Sequence, residues 1–185
     1  MGVNGKKLLT NVFFWDKCSN FTIRKYSRIM SSMVGIEFCK IDSNGRLKLP
    51  VALKKQLVVS DDTRFVLRKS IYNSYLELFT YSDFQEEVSR LQRNLNPYDP
   101  QAKRLFRKLT QANIVELDAS DRILIPAEQR SMANIDKDIV LLASGKFIEI
   151  WDSATYNSLD EDEFDYISSA EQLLGNLQEV DCNKD

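Results

Sequence analysis

Two arginines in this chain stand in the same frame: Arg46 follows Asp42 by four residues and precedes Pro50 by four, and Arg122 stands in the same relation to Asp118 and Pro126. Arginine carries a planar fork of donors that fits a phosphate or a guanine edge, and an aspartate four residues earlier across a tight turn can hold that fork in place. Asp42 with Arg46 and Asp118 with Arg122 are therefore candidate DNA contacts. The flanking Lys40, Lys48, Lys54 and Lys55 are candidates for plain phosphate contact. The competing readings are that the Asp–Arg pairs only brace their turns and that the lysines are simply solvated.

Other chemistries find little to work with. The chain has no histidine, which excludes His-based zinc sites, Ser-His triads and Cys-His dyads. Its three cysteines, Cys18, Cys39 and Cys182, form no Cys-x-x-Cys pair and suit reduced thiols better than a disulfide framework. Glu77 and Glu149 occupy matching places, but without a histidine or a metal-ligand cluster an acid/base pair is a weak reading. Each glutamate is expected to meet an arginine at a unit or protomer interface. With no phosphate-binding glycine loop either, no enzyme, cofactor, metal or small-molecule substrate is expected.

The two arginines belong to a longer repetition. Ile41-Asp42-Ser43-Asn44-Gly45-Arg46-Leu47-Lys48-Leu49-Pro50 is echoed without a gap by Leu117-Asp118-Ala119-Ser120-Asp121-Arg122-Ile123-Leu124-Ile125-Pro126, so one structural unit is used twice. Downstream, Phe65-Val66-Leu67 matches Ile139-Val140-Leu141, and Leu76-Glu77-Leu78-Phe79 matches Ile148-Glu149-Ile150-Trp151. Apolar runs, a turn signal at Asp42–Gly45 and polar/apolar alternation predict a strand, turn and strand from Gly35 to Leu49. Pro50 then opens a short helix with Leu53 and Leu57 on one face, and strands follow at about Arg64–Lys69 and Tyr75–Phe79. The second copy repeats that order, giving two β-β-α-β-β units.

The expected division is a basic extension at 1–33, unit 1 at 34–80, a helical connector at 81–111, unit 2 at 112–152, and a C-terminal helix with an acidic tail at 153–185. In the connector, Ser82 or Asp83 caps a helix with Phe84, Val88, Leu91 and Leu95 on its apolar stripe, and a second helix spans about Lys103–Leu109. Phe79, Leu78, Ile150 and Trp151 read as packing residues rather than base-stacking platforms.

A length of 185 residues, 43% hydrophobic and 10% aromatic, supports one or two small domains with a real core. No uncharged apolar run approaches the roughly 18 residues of a spanning helix, and Val12-Phe13-Phe14-Trp15 is shorter than a signal-peptide core of roughly 7, so the expectation is a cytoplasmic protein. The formal net charge of −2 hides an asymmetry. Residues 1–30 carry six Lys/Arg against one Asp, whereas 151–185 carry one Lys against ten Asp/Glu. A near-neutral body does not coat polyanions by bulk charge, so DNA binding requires a few arginines focused by geometry and multiplied by oligomerisation. Met30 and Met33 leave open a start downstream of the basic stretch; the alternative is a basic arm with Lys6, Lys7, Arg24, Lys25 and Arg28 near phosphates. The Asp160–Asp165 run reads as a solvated acidic segment.

The doubled Asp-x-x-x-Arg-(aliphatic)-x-(aliphatic)-Pro motif, with Ile148-Glu149-Ile150-Trp151 and Lys103-Arg104-Leu105-Phe106, resembles the MraZ family of double AbrB-like (SpoVT-type) proteins over about residues 34–158. That resemblance implies an α+β fold in which the two units pair as a pseudo-two-fold swapped-hairpin barrel with flanking helices. It implies a transcriptional regulator, cytoplasmic and nucleoid-associated, that binds direct repeats of double-stranded DNA in the promoter of a division and cell-wall gene cluster. It also implies assembly into a homo-oligomeric ring. The DNA-contacting elements of the family map onto Asp42 with Arg46 and Asp118 with Arg122. Asp121 departs from the family glycine that Gly45 supplies in the first unit; aspartate tolerates the left-handed conformation, while its carboxylate is expected to weaken the phosphate contact of Arg122. The alternative function is a structural or protein-interaction oligomer that recruits a partner through the acidic tail.

Overall fold

A computed structural model describes residues 32–57, 62–159 and 166–174. The basic stretch at 1–30 and the acidic run at 160–165 lie outside the described residues. The first repeat supplies β1 (Ile36–Lys40), β2 (Arg46–Lys48), α1 (Val51–Leu57), β3 (Arg64–Lys69) and β4 (Tyr75–Thr80). Two connecting helices follow, α2 (Tyr81–Asn94) and α3 (Pro100–Thr110). The second repeat supplies β5 (Ala112–Glu116), β6 (Arg122–Leu124), α4 (Ala127–Met132), β7 (Asp138–Ser144) and β8 (Phe147–Asp152), with α5 (Ser153–Leu159) and α6 (Tyr166–Leu174) after it.

The fold is α+β, built on an antiparallel sheet of order β1-β7-β8-β4-β3-β5 and a separate two-stranded ribbon, β2 with β6. The two repeats exchange their first strands: β1 pairs with β7 of the second repeat, and β5 pairs with β3 of the first. A closed barrel is not what the described residues form. β2 and β6 are three residues each and turn away to pair with one another, so β1 and β5 are left as opposite edges of an open sheet with no pairing between them among the described residues.

Period-two alternation sorts the side chains of the sheet. Leu76 and Leu78 of β4, with Phe65, Leu67, Ile139, Leu141, Ile148 and Ile150, face a core completed by Leu47, Leu49, Leu53, Ile123 and Ile125 from the ribbon side. Each such fully buried aliphatic contributes roughly 1.5–3 kcal/mol by leaving water. The intervening residues face the flanking helices: Val66 and Phe79 pack with Phe84 of α2, and Tyr75, Val140 and Trp151 pack with Tyr156 and Leu159 of α5. Phe79, Leu78, Ile150 and Trp151 are thus buried packing residues.

Two details correct the sequence reading. The cap of α2 is Thr80 rather than Ser82 or Asp83: the extended backbone at the end of β4 aims its hydroxyl at the Asp83 amide, which donates to Thr80 Oγ1 at 3.1 Å. The second connecting helix starts earlier than Lys103, because Asp99 accepts from the Gln101 amide at 2.8 Å and Pro100 is preset for the first helical turn. The matched glutamates also divide. Glu77 meets an arginine, but within its own repeat rather than at a unit or protomer interface: Arg68 stands directly across the β3–β4 pair, in a buried two-donor contact through Nε and Nη2, and Arg68 Nη1 donates to Leu109 O at 2.8 Å, tying the end of α3 to the sheet. Glu149 instead accepts from Trp151 Nε1 at 2.7 Å, since Leu142 stands across from it on β7.

Candidate nucleic-acid interface

Each repeat turns the chain through a three-residue loop closed by its aspartate. In the first, the Gly45 amide donates to Asp42 O and the Asp42 amide to Arg46 O, both at 3.0 Å. Gly45 adopts φ +83, a left-handed conformation of the kind that commonly closes a three-residue hairpin loop. In the second, the Asp121 amide donates to Asp118 O at 3.0 Å, the Asp118 amide to Arg122 O at 2.8 Å, and Asp121 takes φ +61. Aspartate accepts this conformation because its short polar side chain costs little there.

The carboxylates of Asp42 and Asp118 hold backbone rather than guanidinium. Asp42 Oδ1 accepts from the amides of Asn44 and Arg46, both at 2.9 Å, and Asp118 Oδ1 accepts from those of Ser120 and Arg122 at 2.8 and 2.9 Å. These bonds, the Arg46 and Arg122 amides first, hold both carboxyls below the usual aspartate range, assisted by both guanidinium charges. Orientation of the arginine heads is a matter between turns: Arg122 Nη1 lies 4.0 Å from Asp42 Oδ2 of the other repeat.

The ribbon presents the result. Leu47 and Ile123, directly opposite one another, are buried, and the alternate positions point to solvent, with Arg46 across from Leu124 and Lys48 across from Arg122. Arg46, Lys48 and Arg122 therefore share one exposed face. Lys48 has no ion pair among the described residues, whereas Lys40 stands apart at the end of β1, where it pairs with Asp138 at 2.8 Å. Lys54 is likewise engaged, with Asp121 at 2.5 Å, so the Asp121 carboxylate turns to α1 and not to Arg122.

Each turn is clamped by the opposite repeat. The Leu49 amide donates to Asp121 O at 2.9 Å and the Ile125 amide to Gly45 O at 2.8 Å. Over the first turn lies Arg130 of α4, which the motif reading passes over; a Cβ on Gly45 would stand 3.2 Å from its Nη2. Its signal in the sequence is that it follows Pro126 by four residues, as Lys54 follows Pro50.

Among the described residues no group of three or more acidic or cysteine side chains is arranged to hold a metal. Surface depressions among the described residues include one along α2 between Tyr81 and Arg93 with Lys146 and another between Lys69, Ile71, Leu105 and Met132. Neither includes Arg46 or Arg122.

Residues 109–177 match the family model described as "MraZ protein, putative antitoxin-like". The chain is 36% identical over 152 residues to a transcriptional regulator MraZ of Flavobacterium psychrophilum, covering 81% of this chain and 96% of that relative. A protein of the same description from Christiangramia forsetii is 33% identical over 149 residues, covering 80% of this chain and 96% of the relative, and one from Marinomonas sp. is 34% identical over 129 residues, covering 69% and 85%.

Proposed function

The chain belongs to the MraZ family, whose members matched above are named transcriptional regulators, and on that premise we propose that it is a sequence-specific DNA-binding regulator that reads double-stranded DNA through the β2–β6 ribbon. The observation that carries this reading is the shared exposed face of Arg46, Lys48 and Arg122, raised on two turns of the same hydrogen-bond pattern. Two arginine forks set diagonally across one face of a two-stranded ribbon suit the major groove, which admits such a ribbon and offers guanine edges and flanking phosphates. In this reading Arg46 and Arg122 contact bases or phosphates, Lys48 contacts phosphate, and Asp42 and Asp118 are positioning residues that shape the turns.

The exchange of β1 and β5 supports reading residues 34–80 and 112–152 as AbrB-like units with swapped hairpins, joined by the connector 81–111. Assembly into a homo-oligomeric ring, cytoplasmic and nucleoid-associated, would set successive ribbons against direct repeats in the promoter of a division and cell-wall gene cluster, so that individually weak contacts add by avidity. The exposed Phe38 and Ile114 on the unpaired edges β1 and β5 support self-association. No small-molecule substrate enters the reading. No membrane enters it either; no helix among the described residues is long and apolar enough to cross one.

The test is binding of the full chain to DNA from its own upstream region beside a scrambled duplex, with Arg46→Ala in parallel. Preferential binding that Arg46→Ala abolishes at unchanged oligomer size supports the regulator. Equal weak binding to both duplexes contradicts it, and loss of assembly in Arg46→Ala points to the structural alternative.

A further inference from the structure

Lys54 and Arg130 are equivalent residues, each four after the proline of its repeat, and each reaches the turn of the other repeat. What they meet there differs. At the second turn Lys54 Nζ stands 2.5 Å from Asp121 Oδ1, so a cation from α1 holds an anionic oxygen beside the left-handed residue. At the first turn that residue is Gly45, and the guanidinium of Arg130 lies over it with Nη2 3.2 Å and Cζ 3.3 Å from where a Cβ would be. Arg130 has no acidic partner among the described residues, and its Nε, shielded from solvent, has no hydrogen-bond partner.

From this internal comparison we infer that the Gly45 turn carries an open site for an anionic oxygen, formed by Arg130 with Arg46, the residue that follows Gly45 in the chain, and that it takes a DNA phosphate, while the matching site at the second turn is filled from within by Asp121. The inference rests on the DNA-binding reading and adds to it a contact residue, Arg130, and an inequality between the two turns. The chemistry favours phosphate: a guanidinium offers paired donors to its oxygens, and a charged donor without a partner gains most from an anion. Carboxylates nearby do not serve. Asp42 Oδ1 is taken up by the Asn44 and Arg46 amides, and Asp42 Oδ2 faces Arg122. At the second turn Lys54 and Asp121 cancel one another, which leaves Arg122 with less cationic support than Arg46 has.

The experiment is a salt series with the full chain on labelled upstream and scrambled duplexes, comparing wild type, Arg46→Ala, Arg130→Gln and Asp121→Asn. Arg130→Gln is expected to weaken binding to both duplexes by about tenfold or more and to make the salt dependence shallower by about one unit. Asp121→Asn keeps a residue that tolerates φ +61 and frees Lys54, so binding tightens and the salt dependence steepens by about one unit. This gain does not arise from misfolding, which guards against a destabilised Arg130→Gln. If Arg46→Ala loses binding while Arg130→Gln and Asp121→Asn both match wild type, the open-site inference is overturned and the DNA-binding reading stands. If Arg46→Ala binds as wild type does, the DNA-binding reading itself fails.

Discussion

Leu47 and Ile123 stand directly opposite one another across the β2–β6 ribbon, both fully removed from solvent. They are equivalent positions of the two repeats, and so are Glu77 and Glu149, which face each other across the β4–β8 pair. One pair sits at the centre of the ribbon and the other at the centre of the six-stranded sheet, where β4 meets β8. The apolar pair anchors the ribbon to the core and thereby fixes which residues, Arg46, Lys48 and Arg122, face outward.

Truncating either member of that pair removes the anchor. Leu47→Ala and Ile123→Ala are each expected to cost about 2–5 kcal/mol in denaturant unfolding. Because the two side chains share one layer of the core, the double variant should depart from additivity. Costs below about 1 kcal/mol would mean that the ribbon is not held by this contact.

Arg68 and Glu77 are both nearly solvent-free, with side-chain exposures of 8% and 4%. Removing one charge leaves the other buried without its partner, so Glu77→Ala is expected to cost about 3–5 kcal/mol, and a paired replacement of Arg68 and Glu77 by leucines much less. Chemical unfolding of the three proteins checks this. A double variant as damaged as the single one would show that the pair does more than neutralise itself.

Acid should loosen the turns. The folded carboxyls of Asp42 and Asp118 lie below the ordinary aspartate value, about 3.9, because they accept backbone amides and face both arginines. A lowered value contributes stability that is complete above about pH 4 and is lost as pH falls through the folded value. In an NMR titration the amides of Asn44, Arg46, Ser120 and Arg122 should therefore report carboxyl midpoints below those of free aspartate. Midpoints at the ordinary value would contradict the hydrogen bonds drawn here.

The parts read from sequence were those set by local chemistry. The alternation around Leu47 and Ile123, the prolines at 50 and 126 and the left-handed positions at Gly45 and Asp121 gave the elements nearly residue by residue, because each depends on its own neighbours. Partner choice was out of reach: alternation sets Ile36 and Phe38 of β1 on one face, yet both are exposed while Glu37 and Cys39 are half-buried, and nothing local says that β1 pairs with β7. Thr80, Ser82 and Asp83 are all competent caps within four residues, and only the end of β4 selects Thr80. The place of Asp121 in the repeat marks a left-handed residue, yet its partner, Lys54, is far away in sequence and comes from the other repeat. Arg130 is hidden in the sequence for the same reason, since its importance comes from lying over Gly45.

The central claim is that the paired turns read DNA, and the most direct measurement is the salt dependence of duplex binding by the full chain carrying both Arg46→Ala and Arg122→Ala. The account predicts loss of the preference for upstream DNA and a salt dependence shallower by about two units, with thermal unfolding and oligomer size unchanged. A double variant that keeps both the preference and the salt dependence of the wild type would contradict it.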